Sequence, residues 1–579
     1  MAHQWLRKPR AIVGVRHAFS LLGLLPLGLA IACGASAPAT SAPASTSAPT
    51  ATTAPQGTPV ATAKPVTATT PTPSPQVSAG RLKVAALPGE ENNDPHGAAG
   101  TALVPMRNIY EYLVEIEPYK GAYAPMLATE WKLSPDGKSW DVKLRKGVQW
   151  HRGFGEFTAQ DVVHTYKRLV REGALSSLVG YWRANLDNIE IVNDYEVVFH
   201  MKRVELEWQH QVSTSWDGVM LSKSQFDKEG QEGFAAKPAG TGPYQYVERR
   251  IGTSVSFERV PYDHWRIRPD FKELEFLIVR EDLTRLASLL TGEVHIAEDI
   301  PLDVQSQALA KGMKVVRSTV PSGSYIGQFG GNYLPSLPNY DPSVPWTNKK
   351  VRQALNLAIN QKEIIDTIFL GRYEQVVAPF VHRTHPEYKP EWEAKFKQNY
   401  AYDPARAKLL LREAGYPQGF KATFQLHTQP GAARQDAVAE AVANYWQAIG
   451  VDVKLENVDQ AAHVSQMRGM TTKGKAWVQQ AVYRPPWNRV QIFNTTSGVV
   501  HGFESEFLEQ KWAELGKTVE REKFVQIQQD VIDYLVDEYA HFPLVWVFAE
   551  FMINPKVVSD YTTAGISGAS HLEYVKAAR

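Results

Sequence analysis

Signatures of chemistry are present in fragments, and each fragment fails at an identifiable residue. Gly516-Lys517-Thr518 ends like a phosphate-binding loop, but Lys511 stands where the opening glycine is required. Gly137-Lys138-Ser139 fails in the same way, with Lys132 at that place. Gly240-Thr241-Gly242 is no dinucleotide loop, because Gln245 occupies the third glycine position. No GxSxG elbow, HExxH pair or EF-hand loop occurs. His382 and His385 have a spacing that suits two metal ligands, yet they lie in a proline-flanked stretch and read as ordinary solvated histidines. His151 and His164 read as side chains satisfied by backbone partners. No pair of carboxylates stands out for acid/base work. The expectation is a protein that is not an enzyme, with no cofactor and no metal.

The single cysteine among 579 residues excludes disulfides and cysteine-based metal modules, and its position gives it one job. Cys33 follows a basic start (Arg7, Lys8, Arg10, Arg16) and the apolar run Ala18 to Ala32, the layout of a secretory signal. That run contains Pro26 and, at about fifteen residues, is short for a spanning helix. Ala30-Ile31-Ala32-Cys33 resembles a bacterial lipobox, so residues 1–33 are expected to be a lipoprotein signal peptide ending at a lipidated Cys33. An ordinary signal peptide or an uncleaved anchor is the alternative. Residues 34–80 are almost wholly Ala, Ser, Thr and Pro, with Lys64 the only charge. Such a segment cannot bury enough apolar surface to order itself, and reads as a tether up to ~100 Å long.

The elements that would position a site begin near Arg81. RLKVAAL reads as a strand. Ser134-Pro135-Asp136-Gly137 is a turn joining two alternating runs, with Trp131 and Leu133 before it and Trp140, Val142 and Leu144 after it on one side. Thr158 reads as a helix cap with Asp161 three residues on, ahead of the stripe Val162, Tyr166, Leu169. Further on, TSVSFERV and FKELEFLIV are strand patterns, and a helix from Glu281 stops near Gly292. NKKVRQALNLAINQKEIIDTIFLG reads as helical, as does the Asp403-capped run ending at Gly415. A βαβ-like unit spans ATFQLH, a helix around Val438 to Ile449, and VDVKLENV. Phe524, Ile527, Val531 and Leu535 stripe a last helix before the apolar HFPLVWVF. The fold class is α/β. The charge balance, 62 Lys+Arg against 61 Asp+Glu, gives no electrostatic case for nucleic acid or a polybasic membrane binder.

Five stretches, in order, resemble the family 5 extracellular solute-binding proteins of ABC importers, the dipeptide, oligopeptide and nickel-binding group. They are TEWKLSPDGKSWDVKLRKGVQWHRG with the nearby FTAQDVVHTYKRL, GTGPYQYVE, LASLLTGEVHIAEDIP, VRQALNLAINQKEII and YDPARAKLLLREAGYPQGF. The resemblance implies two lobes with a hinge: lobe I from 81–117, 236–330 and 545–579, a subdomain of 118–235 inserted in it, and lobe II from 331–544. It implies a monomer, lipid-anchored outside the cytoplasm, that closes on a peptide or peptide-like solute and hands it to a permease served by cytoplasmic ATPases. Oligosaccharides, opines or other anionic solutes are the alternative, and a secreted hydrolase a remoter one.

Peptide binders of this family commonly carry a D-Y-P-D-P-like stretch whose first aspartate pairs with the peptide amine. Its counterpart here is Val482-Tyr483-Arg484-Pro485-Pro486, followed by Trp487-Asn488-Arg489. A valine cannot neutralise an ammonium. Arg484 or Arg489 is instead suited to a carboxylate or phosphate, and Trp487 to stacking. The resemblance also points to Tyr325, Gln328 and Asn332 in the strand leading across the hinge, and to Asn92, Asn93 and His96 in the loop after the first strand.

Overall fold

The computed structural model describes residues 79–579, apart from 88–90, 98–102, 177, 214–217, 428, 430, 431, 433 and 564–568. Cys33, the leader and nearly all of the tether lie outside the described residues. Two large sheets organise the chain. A seven-stranded sheet combines Ala79–Ala86, Tyr244–Arg250, Ser254–Arg259, Phe271–Ile278, Ile296–Glu298, Lys314–Arg317 and Glu550–Ile553. A six-stranded sheet combines Gly323–Phe329, Glu374–Gln375, Lys421–Leu426, Asp452–Asn457, Lys475–Val482 and Phe542–Val547. A four-stranded antiparallel sheet (Ala128–Leu133, Ser139–Leu144, Leu186–Asn193, Glu196–Met201) builds the subdomain beside the first. The architecture is a two-lobed α/β fold. The chain changes sheets between Arg317 and Gly323 and again between Val547 and Glu550, so the expected boundaries at 330 and 545 fall at or within strands of the six-stranded sheet.

Local signals explain most elements. In the subdomain hairpin Trp131 faces Val142 and Leu133 faces Trp140; the turn closes through the Gly137 amide on the Ser134 carbonyl, with Gly137 at φ 71°. Trp140, Val142 and Leu144 bury one face and Trp140 stacks on Trp208, ring centroids 5.5 Å apart. Thr158 and Asp161 form a reciprocal capping box on the helix Ala159–Leu169, whose Val162, Tyr166 and Leu169 are buried. Gly292 ends its helix in the left-handed region at φ 81°, where a side chain would be strained. The strands Lys421–Leu426 and Asp452–Asn457 pair in parallel across the helix Gln435–Ala448, as expected of a βαβ unit.

One expectation is corrected. The apolar stripe after Asn348 is not one helix but two, Lys349–Leu357 and Gln361–Ile368. Asn360 interrupts it because its side chain accepts the Glu363 amide and opens a new N-terminus. This is a helix cap inside a continuous hydrophobic pattern.

The Gly240-Thr241-Gly242 turn is structural. A Cβ at Gly240 would lie 1.8 Å from the Ile109 carbonyl oxygen, and one at Gly242 would lie 2.9 Å from that of Asn108. His151 locks the turn: its ring meets the Gly242 carbonyl at 2.8 Å and accepts the Gly240 amide at 3.2 Å. Burial lowers the His151 pKa to about 4, so the ring is neutral and satisfied by backbone.

Candidate functional site

The crossing strands place the candidate site. In the six-stranded sheet Gly323 opposes Val482 on one side and Val547 on the other. The residues after those two strands, Tyr483 and Phe548, therefore emerge together at carboxyl ends, where α/β folds gather ligand-binding side chains. The Tyr483 amide is fixed on the Ser322 carbonyl and the Ser322 amide on the Val547 carbonyl, both at 2.9 Å. Together they anchor an aromatic wall. Tyr483 stacks on His385 (4.4 Å, 13°), His382 meets Trp546 edge-on at 5.3 Å, and the Arg317 guanidinium sits 3.4 Å over the Phe548 ring. The Tyr483 hydroxyl bonds Thr384 at 2.7 Å.

His382 and His385 are thus not solvated: they are 4% and 9% exposed, and the ring of His385 takes the His382 amide at 3.0 Å. Burial, with His382 beside it, pushes the His385 pKa down to about 3. Glu374 is the wall's acid, shared among Arg317 (3.1 Å), His382 (3.2 Å) and Arg383 (2.8 Å).

The opposite side comes from the inserted subdomain. Tyr123 and His210 bond at 3.1 Å. His210 is buried and its pKa lies at about 3, through burial first and then the charges of Arg484 and Arg489 and the nearby His385. The two sides therefore face each other across the crevice. Proline at 485 and 486 turns the chain from Tyr483 into the helix Pro486–Asn494, which sets Arg489 in its first turn. Arg489 is 7% exposed, donates to the Val482 carbonyl, and has a buried Nε without a partner. Burial, with Arg484 adding to it, lowers the Arg489 pKa well below the usual guanidinium range.

The lobes also touch at the crevice rim. Leu206 packs with Leu515, Phe524 and Ile527, and Val204 and Trp487 lie against this cluster. Arg521 pairs with Glu207 of the subdomain at 3.0 Å and with Glu387 of its own lobe at 3.6 Å. Arg434 reaches Asp303 at 2.6 Å, and Arg372 reaches Glu550 at 3.1 Å. These contacts join the two lobes.

The structure brings Tyr483, Arg484 and Arg489 together and sends the other expected residues elsewhere. Trp487 stacks on Trp512 at 4.2 Å and belongs to the rim contact. Tyr325 is buried against Phe369, its hydroxyl side feeling Tyr373, Asp299, Asp436 and Arg434. Alternation along the fully buried strand Gly323–Phe329 turns Gln328 to the other face. There its Oε1 accepts from His541 at 2.8 Å, and the His541 ring contacts Asn494. Asn332 donates to the Phe329 carbonyl and its carbonyl accepts the Glu504 amide. Asn92 closes its own loop through Asp94 and Gly97. Asn93 bridges Ala235 and Arg249, and His96 is buried in that loop. Asp94 ties the same loop to Arg168 of the subdomain helix. Sequence reasoning missed Tyr123, His210 and Arg317, which no local pattern marks; for Trp546 the apolar run HFPLVWVF was a signal of burial only.

Comparison with known proteins bears on this geometry. The profile described as bacterial extracellular solute-binding proteins, family 5 Middle, matches residues 122–499. Heme-binding protein A of Haemophilus influenzae is 29% identical over 60% of this chain and 64% of its own length. The dipeptide-binding protein of Escherichia coli is 26% identical over 60% of this chain and 65% of its own. These matches span just under two thirds of those relatives. The solved structure of the periplasmic binding protein DppA from Helicobacter pylori, in complex with the peptide STSA, superposes with a TM-score of 0.66. It is 22% identical and covers 87% of this chain and 98% of that one.

Proposed function

The chain belongs to family 5 of the bacterial extracellular solute-binding proteins, and from that membership we propose that it captures a peptide or peptide-like solute between its lobes for an ABC permease. The observation that carries this reading is the lining of the crevice. A stacked aromatic wall with hydrogen-bonding edges (Tyr483, His385, His382, Trp546) faces Tyr123 and His210 from the opposite lobe. Such surfaces hold the flat amide planes and side chains of short peptides while leaving their chemistry untouched. A relative named as a dipeptide-binding protein and a solved structure holding a peptide support the same solute class.

Binding works through closure. Only the shut form presents both sides to the solute, so the solute shifts the population toward it by the difference in affinity between open and shut states. The permease then reads the shut form, and ATP hydrolysis by separate cytoplasmic subunits supplies the work. The protein acts as a monomer and is not an enzyme. Native mass spectrometry of protein purified from its host should show a co-purified small molecule, recovered chemically unchanged after incubation. Recovery of a cleaved or otherwise altered molecule would overturn the binding reading in favour of hydrolysis.

Anchoring belongs to the same proposal. A lipid on Cys33, with residues 34–80 as the tether, would hold the body on the outer side of the cell membrane. Cys33→Ala should release the protein from the membrane fraction into the soluble one; unchanged membrane retention would refute attachment through that thiol.

A further inference from the structure

Arg489 is a buried cation without an anion. Its guanidinium makes one side-chain hydrogen bond, to the Val482 carbonyl, and its Nε has no partner. Among the described residues no carboxylate lies within ion-pair distance of it. The acids of the crevice are committed elsewhere: Glu207 and Glu387 to Arg521, and Glu374 to Arg317, Arg383 and His382. The charge that Arg489 does feel is of its own sign, from Arg484. His210, which feels both arginines, and His385, which bonds the Arg484 backbone, are kept neutral by burial. This end of the shut crevice therefore carries excess positive charge in a place that closure removes from water.

A guanidinium does not escape such a situation by losing its proton. A buried unpaired charge is strongly unfavourable, and a forked ion pair with an oxyanion offsets it best. The geometry is prepared for one. Arg489 sits in the first turn of the helix Pro486–Asn494, held rigid by the Pro485-Pro486 entry, and Arg484 is braced by Asn488 at 3.2 Å. The aromatic wall begins directly beside it at Tyr483.

We propose that Arg489, with Arg484 beside it, is the docking point for a carboxylate of the solute, so that the protein captures its ligand by an acidic end and closes only on ligands that bring that charge. The proposal rests on the solute-capture reading above and adds the chemical class of the group recognised. It also makes the anion part of the closing mechanism: without it, shutting the lobes strands a cation.

Trialanine, its C-terminal amide and inorganic phosphate serve as probes, with binding followed by calorimetry and by the thermal midpoint. Trialanine should bind the wild-type protein at least about 30-fold more tightly than its amide, the usual scale for removing one partner of a buried charge pair. Arg489→Gln should bind the acid and the amide alike. Because the amide modifies the ligand rather than the protein, this comparison holds whatever the variant does to folding. Equal affinity of acid and amide for the wild type would overturn the proposal, as would a glutamine variant that keeps the preference. If neither peptide binds, the peptide reading fails, and phosphate decides the anion site separately. A rise in the wild-type thermal midpoint with phosphate, absent in Arg489→Gln, upholds it, and no rise overturns it.

Discussion

Replacing Arg266 by methionine should lower the apparent unfolding free energy by about 3–5 kcal/mol, the range for breaking a buried ion network by removing one partner. Arg266 is a cation set among three buried carboxylates. Its Nε reaches Glu111 at 3.1 Å, and its Nη1 reaches Glu573 at 3.0 Å and Glu115 at 3.5 Å. Their side chains are 0–8% exposed. The phenol of Tyr574 and the indole of Trp265 complete the shell at 2.9 Å and 3.1 Å. Even with Arg266 present, burial raises Glu115 to about 7. Burial works to raise Glu573 too, yet Arg266 and His571 hold it below the ordinary carboxylate value.

Methionine fills a similar volume but leaves the three acids buried without their cation. The loss should therefore grow between pH 5 and pH 8, because Glu115 and Glu573 are already largely ionised in the unfolded chain by pH 5, while burial without Arg266 opposes their ionisation in the folded one. Urea denaturation of the two proteins at both pH values measures it. A difference below about 1 kcal/mol at pH 8 would show that the network is solvated.

That network also shows where sequence reasoning stops. Hairpins, caps and amphipathic helices were legible because their causes are local: the Thr158–Asp161 box, the Asp403 cap, the Gly292 and Gly415 stops and the turn at Pro135-Asp136-Gly137 all act within a few residues. The two-helix break at Asn360 was hidden by an uninterrupted apolar stripe, although Asn360 with Glu363 three residues on is a cap signature that was there to be read. The site divides the same way. Tyr483, Arg484 and Arg489 were accessible because one strand-to-helix turn carries them all. Tyr123 and His210 reach the same place from the subdomain only through the closed arrangement of the lobes. Gln328 and Tyr325 share a strand, but the two-residue alternation puts them on opposite faces, Tyr325 against Phe369 and Gln328 against His541, and pairing register rather than residue type decides this.

Through Glu207, affinity for the solute recovered from the host should weaken by up to about tenfold as the pH rises from 6 to 8, and Glu207→Gln should remove that component of the pH dependence. Glu207 lies at the rim where the subdomain meets the second lobe, facing Arg521 and Glu387 across the contact and Glu205 on its own side. Burial raises its pKa to about 7, Arg521 opposing the shift and Glu387 adding to it. When the lobes part, the carboxyl returns to water and to its ordinary value near 4.3.

The shut form thus holds a proton more readily than the open form. Closure is helped by that proton below about pH 7 and loses the help as pH rises through 7, which with these two values amounts to about tenfold across the interval. Leu206, Phe524 and Ile527 supply a contact that does not titrate, so the rim weakens without failing. Glutamine keeps the shape and cannot ionise, so relative to wild type its affinity should fall less between pH 6 and pH 8, by the share that Glu207 contributes. A wild-type affinity that stays constant, or one that strengthens toward pH 8, would mean that the Arg521 pair outweighs burial and that the ionised acid is what holds the rim shut.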